Sequence, residues 1–109
     1  MRFSIQEHMA KKAGLHYDLR LEKDGVLLSW AIPKGLPTKG KTHLAIKQPN
    51  HNIDYLLFEG NIESGYGAGK VRVIESGEYK RNGTTLILNE SIYRFFPIGG
   101  NKWLIKLRE

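Results

Sequence analysis

Hydrophobic and polar positions alternate with a period of two over most of this chain. In residues 16–22, Tyr17, Leu19 and Leu21 fall on one face and His16, Asp18, Arg20 and Glu22 on the other. Successive side chains of a strand point to opposite sides, so this pattern describes a strand with one buried face. Lys23-Asp24-Gly25 follows as a turn, because Asp and Gly tolerate the backbone angles of a tight hairpin. Residues 26–32 read as the returning strand, which Pro33-Lys34-Gly35 ends. Further β-prone runs lie at 43–48, 55–62, 70–75, 78–80, 84–89, 92–96 and 102–107. Ser76-Gly77, Arg81-Asn82-Gly83 and Gly99-Gly100-Asn101 punctuate them, and Asn82-Gly83 is the strongest hairpin signal in the chain. Residues 7–13, followed by Gly14 as a candidate C-cap, are the one stretch that favours a short helix. Many short strands with regular turns predict an all-β (mainly β) fold, a compact barrel or sandwich.

The chain has 109 residues, which allows one domain spanning 1–109. Its 40% hydrophobic and 26% charged content is that of a globular protein rather than a disordered one. Cysteine is absent, which excludes a disulfide framework, a zinc ribbon, an iron–sulfur cluster and a thiol nucleophile. No apolar run approaches the roughly 20 residues that span a bilayer. The first eight residues lack the apolar stretch of a signal peptide. A soluble, cytoplasmic protein with no membrane partner is the expectation.

Charge adds a direction. There are 17 Lys+Arg against 11 Asp+Glu, a net +6. From 33 to 53 the chain carries Lys34, Lys39, Lys41 and Lys47 and no acidic residue. Such a stretch is either a solvated lysine-rich loop or a surface for a polyanion, of which nucleic acid is the commonest inside cells.

The candidate chemistry sits on the polar face of the strand at 16–22. His16 and Asp18 side by side make half of an imidazole–carboxylate metal site, and His8 upstream would complete a set of two histidines and one carboxylate. Arg20, next on that face, offers a planar fork for a phosphate or carboxylate. An ordinary polar face with incidental ion pairing is the competing reading. His51 and Tyr55 follow the basic stretch, where a histidine can donate to a phosphate or move a proton. They read equally as a turn-capping histidine and a core tyrosine. The glycine-rich 65–70 segment precedes a β-prone run rather than a helix, so it reads as a corner between strands and not as a phosphate cradle. Trp30, Trp103, Phe58, Phe95 and Phe96 read as core aromatics rather than base-stacking ones.

Several motifs occur together in order. They are Gln6-Glu7-His8, then Leu15-His16-Tyr17-Asp18-Leu19-Arg20-Leu21-Glu22, then Ser29-Trp30-Ala31-Ile32-Pro33-Lys34-Gly35. Leu44-Ala45-Ile46, His51-Asn52-Ile53-Asp54-Tyr55, Phe58-Glu59-Gly60 and Tyr66-Gly67-Ala68-Gly69 follow. Over residues 3 to 80 this resembles the 3′-phosphoesterase domain of bacterial DNA ligase D. The resemblance implies a small β-barrel with a polar crater. It implies a manganese-dependent enzyme that removes a 3′-terminal ribonucleoside, and then a 3′-phosphate, to leave a 3′-hydroxyl during end joining. By position, His8, His16 and Asp18 match the Mn²⁺ ligands, and Arg20 and His51 match residues holding the scissile phosphate. Tyr55 matches another required position, while Lys34 and Gln6 match positions near the crater. Implied partners are DNA or DNA/RNA primer–template 3′ ends, together with a separate ligase, polymerase and Ku-like end-binding protein.

The chain departs from the family pattern at four places. Two extra residues separate His8 from His16, which predicts a bulged His8 loop. His43 stands at a phosphate-site position where relatives carry arginine. Glu63 replaces a common proline, and Gly65 and Tyr66 are adjacent where an additional residue is usual. The N-terminal arm of ligase-fused versions is not expected, and the domain is expected to stand alone. Two other classes compete: a non-catalytic single-strand-binding barrel, and a small iron oxygenase built on His16-x-Asp18.

Overall fold

The computed structural model describes residues 1–65 and 68–108. Tyr66 and Gly67, and with them the centre of the glycine-rich corner, lie outside the described residues. Nine strands account for most of the chain: β1 (Arg2–Ala10), β2 (Gly14–Lys23), β3 (Val26–Ile32), β4 (Thr42–Asn52), β5 (Gly60–Ile62), β6 (Gly69–Asn82), β7 (Thr85–Leu88), β8 (Ser91–Gly99) and β9 (Lys102–Leu107). They follow the order β1-β2-β3-β4-β9-β8-β7-β6, and β6 returns to pair with β1. Eight antiparallel strands therefore close into a barrel, while three-residue β5 lies on the first half of β6. Among the described residues there is no α-helix, only a 3₁₀ turn at Ile53–Tyr55, so no helix is long and apolar enough to cross a membrane.

Alternation fills the barrel. Phe3 and Ile5 of β1, Leu19 and Leu21 of β2, Trp30 and Ile32 of β3, Leu86 and Leu88 of β7, Phe95 of β8 and Ile105 of β9 form one buried cluster. An eight-stranded barrel has an interior just wide enough for such side chains. Trp30 lies edge-on to Phe95 and Trp103, with ring centroids 4.9 and 5.3 Å apart. Those three rings are core, as the pattern predicts, whereas half-buried Phe96 points to the outer face of β8.

Strands β1 to β3 are unusual in being buried on both faces. Opposite the apolar core they carry Ser4, Gln6, His8, Asp18, Arg20 and Ser29, all nearly inaccessible. The segment from 49 to 58 covers this polar face. Gln6 fixes it there, its Nε2 donating to the carbonyls of Tyr55 and Phe58 at 3.0 and 3.1 Å.

Four expectations are corrected. The short helix near 7–13 does not form: residues 7–10 belong to β1, and 11–13 are a turn. β1 hydrogen-bonds to β2 on one edge and β6 on the other, and a two-turn helix cannot compete with both ladders. Gly14, at φ 76°, turns a hairpin rather than capping a helix. The His8 loop does not bulge either, because the β1–β2 register runs unbroken from Phe3↔Leu21 to Ala10↔Gly14. Two added residues lengthen a hairpin by one on each arm, which leaves every side chain on its own face. The run at 55–62 is not one strand: it starts on the last residue of the 3₁₀ turn Ile53–Tyr55, which the Asn52 side chain begins by accepting from the Asp54 amide, and only Gly60–Ile62 pair as β5. Finally, the runs at 70–75 and 78–80 are one strand. Gly77, opposite Phe3, carries it through, at a place where a Cβ would meet the Asn89 side chain.

Candidate active site

The register of the first hairpin assembles the donors. His8 pairs with His16, Gln6 with Asp18 and Ser4 with Arg20, so these residues share one face on successive rungs. The Asp24-Gly25 turn, both residues at positive φ, sets Lys23 opposite Val26 and hence Ser29 opposite Arg20. One Asp18 carboxylate oxygen lies 3.3 Å from His8 Nδ1 and the other 3.4 Å from His16 Nε2. The two imidazole rings are 4.6 Å apart. One ligand atom from each of His8, His16 and Asp18 fits within a 4.8 Å span.

These residues fit a divalent metal ion. Two imidazole nitrogens and one carboxylate oxygen, without thiolate, suit Mn, Fe or Zn and leave positions open for water or substrate. The electrostatics keep the carboxylate ready. Burial alone would raise the Asp18 pKa, but the hydrogen bond from His16 and the charges of Arg20 and the histidines hold it below the ordinary carboxylate range. The same hydrogen bond raises His16 against the opposing effect of burial.

Arg20 ties the donor group to the rest of the site. It is 4% exposed. Its Nε donates to Gln6 Oε1 at 2.9 Å, its Nη1 to His51 Nδ1 at 3.2 Å, and its Nη2 lies 3.5 Å from Asp18. The guanidinium sits 5.0 Å above the Tyr55 ring. Burial lowers its pKa, but from so high a starting value that the group stays charged.

His51 reaches this face through a bulge. Ser29 pairs with Gln48, yet Leu27, two residues before Ser29, pairs with His51, three residues after Gln48. The additional residue, at Pro49-Asn50, turns His51 to the side occupied by Ser29 and Arg20. Burial and the Arg20 charge lower the His51 pKa. Its Nδ1 lies 3.2 Å from Arg20 Nη1 and 3.3 Å from both Ser29 Oγ and the Pro49 carbonyl; the tautomer that accepts from Arg20 carries its hydrogen on Nε2. Tyr55 packs 5.1 Å from His51 and stacks on Phe58 at 4.8 Å. Burial raises its pKa, so its hydroxyl remains a donor.

His8, His16, Asp18, Arg20, His51 and Tyr55 all open on one cavity of about 480 Å³. Gln48 adds to its polar side, and Leu15, Pro33, Ile46 and Ile62 make an apolar wall. Buried Gln6 lies beneath, bonded to Arg20. Lys34 and His43 lie outside the lining. Lys34 is exposed on the turn after β3, beside cavity-lining Pro33. His43 Nδ1 donates to the Gly35 carbonyl at 2.7 Å and so holds that turn. Of the basic stretch, Lys39 and Lys41 are exposed, while the Lys47 ammonium bonds the Gln48 carbonyl at 2.6 Å and lies over Trp30.

The sequence model of the DNA Ligase D 3'-phosphoesterase domain matches residues 6–102, from Gln6 beneath the cavity to the start of β9. The chain belongs to this family. It is similar to the multifunctional non-homologous end joining protein LigD of Mycobacterium bovis, 56% identical over 79 residues, covering 71% of this chain and 10% of that protein. A multifunctional non-homologous end joining DNA repair protein LigD of Mycobacterium tuberculosis matches to the same extent. The LigD protein of Pseudomonas aeruginosa is 46% identical over 81 residues, covering 72% of this chain and 9% of its own. The chain thus spans about a tenth of the length of these curated relatives. As a 3′-phosphoesterase-family domain, it brings the expected His, Asp, Arg and Tyr residues into one cavity. Sequence reading missed Ser29, whose hydroxyl lies 3.3 Å from His51 Nδ1, although the hairpin turn already places it beside Arg20.

Proposed function

We propose that the chain is a metal-dependent hydrolase of phosphoesters at nucleic-acid 3′ ends. It would remove a 3′-terminal ribonucleoside, a 3′-phosphate, or both, leaving a 3′-hydroxyl for end joining. One observation carries the reading: in a chain of the 3′-phosphoesterase family, the His8/His16/Asp18 donor group shares a cavity with a buried arginine and a histidine that contacts it. The substrates would be DNA or DNA/RNA primer–template ends, and a ligase, a polymerase and a Ku-like protein would act on the same ends.

His8, His16 and Asp18 would hold the ion, for which we propose Mn²⁺. Such an ion, when bound, neutralises phosphoryl charge and lowers the pKa of bound water. The chain's own residues do the rest. Gln6 anchors Arg20 through Nε, which keeps both Nη groups between the donors and His51, where phosphoryl oxygens would be met. A low-dielectric, preorganised cation of this kind stabilises charge that grows in the transition state. In the tautomer that accepts from Arg20, His51 can donate from Nε2 to the phosphate or to the departing oxygen. The Tyr55 hydroxyl adds a second neutral donor. Lys34, at the mouth beside Pro33, would meet the incoming backbone, and His43 would steady its turn.

A 5′-labelled primer–template ending in one 3′-ribonucleotide, or in a 3′-phosphate, tests this directly. With Mn²⁺ the primer should lose its terminal group. Chelator should stop the reaction, and added metal should restore it. An unchanged primer with Mn²⁺, or processing indifferent to chelator, would overturn the reading.

A further inference from the structure

The segment from 81 to 109 holds no residue of the site, yet it carries Arg81, Arg94, Lys102, Lys106 and Arg108 against Glu90 and Glu109, so 5 − 2 gives +3, half of the chain's net +6. Three of these cations converge. Arg94, Lys106 and Arg108 line a cavity of about 930 Å³ with Thr84, Thr85 and Phe96, and among the described residues no carboxylate lines it. The register is a continuous row across four strands: Thr85↔Arg94, Arg94↔Lys106 and Lys106↔Thr42. Two like charges therefore stand directly opposite one another on neighbouring strands, an arrangement that destabilises a sheet unless an anion lies between them. Of the other exposed arginines, Arg2 pairs with Glu22 at 3.0 Å and Arg72 with Glu7 at 3.2 Å, while Arg81 lies over the rings of Phe95 and Trp103. Among the described residues no ion pair involves Arg94, Lys106 or Arg108.

We propose that this outer face of β7, β8 and β9 is a second binding site, for the phosphate backbone of a nucleic-acid strand. Arg94, Lys106 and Arg108 meet phosphates, the threonine hydroxyls donate to their oxygens, and the half-buried Phe96 ring in the same wall offers a platform for a base. The site is distinct from the candidate active site. In the closed strand order β1-β2-β3-β4-β9-β8-β7-β6, β8 is four strands from β2 in either direction, so the basic row lies across the barrel from His16, Asp18 and Arg20. The strand it holds is therefore not the reacting 3′ end but a more distant stretch or a second molecule. That its occupant is nucleic acid rests on the proposed function; the unpaired cationic row does not.

The test is binding rather than hydrolysis. Fluorescence anisotropy would follow a labelled 30-nucleotide single strand with a 3′-hydroxyl, in chelator, across a range of salt. Arg94→Gln/Lys106→Gln should weaken binding about tenfold and lower the slope of log Kd against log salt by about 1.4, the loss of two phosphate contacts. Processing of a very short primer–template, too short to span the barrel, should keep its rate. A control pair, Arg2→Gln/Arg72→Gln, should leave affinity nearly unchanged, and the melting temperatures of all variants would confirm folding. Equal affinity and salt slope in the Arg94/Lys106 variant would overturn the site. Poly-glutamate competing as well as the oligonucleotide would overturn its assignment to nucleic acid. Because the assay needs no reaction, a failure of the proposed hydrolysis would be read separately.

Discussion

Gln6 is fully buried and its side-chain amide is fully used, with Oε1 on Arg20 and Nε2 on two carbonyls of the covering segment. Removing it leaves a charged donor and two carbonyls without their partner. Each buried polar group left unpaired costs roughly 1–3 kcal/mol, so Gln6→Ala should lose about 3 kcal/mol in denaturant titrations. It should also lower turnover, since Arg20 is no longer held through Nε. Gln6→Leu should be no better, because shape alone does not restore the bonds. Asp18 lies between both imidazoles and the guanidinium. Asp18→Asn removes the one anionic donor and should weaken Mn²⁺ binding, measured by calorimetry, at least about tenfold, while His51→Ala, which touches none of the three donors, should bind the ion as before.

The β3–β4 ladder shows what an element contributes that its residues do not. Deleting Pro49 alone would leave His51 opposite Leu27 and on the same face, whereas deleting both Pro49 and Asn50 sets it opposite Leu28 and turns it away from Arg20. The double-deletion variant should keep its far-ultraviolet spectrum and lose activity by about 10²-fold, the scale of one lost transition-state contact. His16, Asp18 and Arg20 could be placed from the sequence because an unbroken strand follows a strict period of two. The face of His51 could not, because one added residue reverses the parity of everything beyond it. Gln6 was reachable only through the family resemblance: a single glutamine before a histidine carries no signal of the two carbonyls it holds 49 and 52 residues away. The expected helix failed for a related reason, since Gly14 suits a hairpin as well as a C-cap and only the second partner strand, β6, decides between them. The β1–β2 pair also makes a pH prediction. Glu22 accepts from the Arg2 side chain and backbone, which lowers its pKa. A lowered carboxyl stabilises the fold above its unfolded pKa and loses that effect as pH falls through the folded one. The melting-temperature gap between the wild type and Glu22→Gln should therefore be small at pH 6, shrink further with salt, and close as pH falls below the ordinary glutamate range.

At the scale of the molecule, closure of β6 on β1 leaves none of the eight barrel staves with a bare edge along its whole length. Such a barrel has no strand to fray first. Tryptophan fluorescence, reporting on Trp30 and Trp103, and far-ultraviolet dichroism should give coincident unfolding curves. Folding should take milliseconds to seconds, because the closing pair joins residues 2–10 to 69–78 and that contact is far apart in sequence. A pronounced early phase in one probe alone would contradict this. The first hairpin has a further consequence, for the order in which the site is made. All three donors lie between residues 8 and 18, on neighbouring strands joined by a three-residue turn. During synthesis they can meet as soon as that hairpin leaves the ribosome, whereas His51 and Tyr55 arrive only after β4. The half that would hold an ion is thus local and early, and the half that would meet phosphate is remote and late. On the proposed function, a nascent chain would load its metal before it had any means of acting on a nucleic acid.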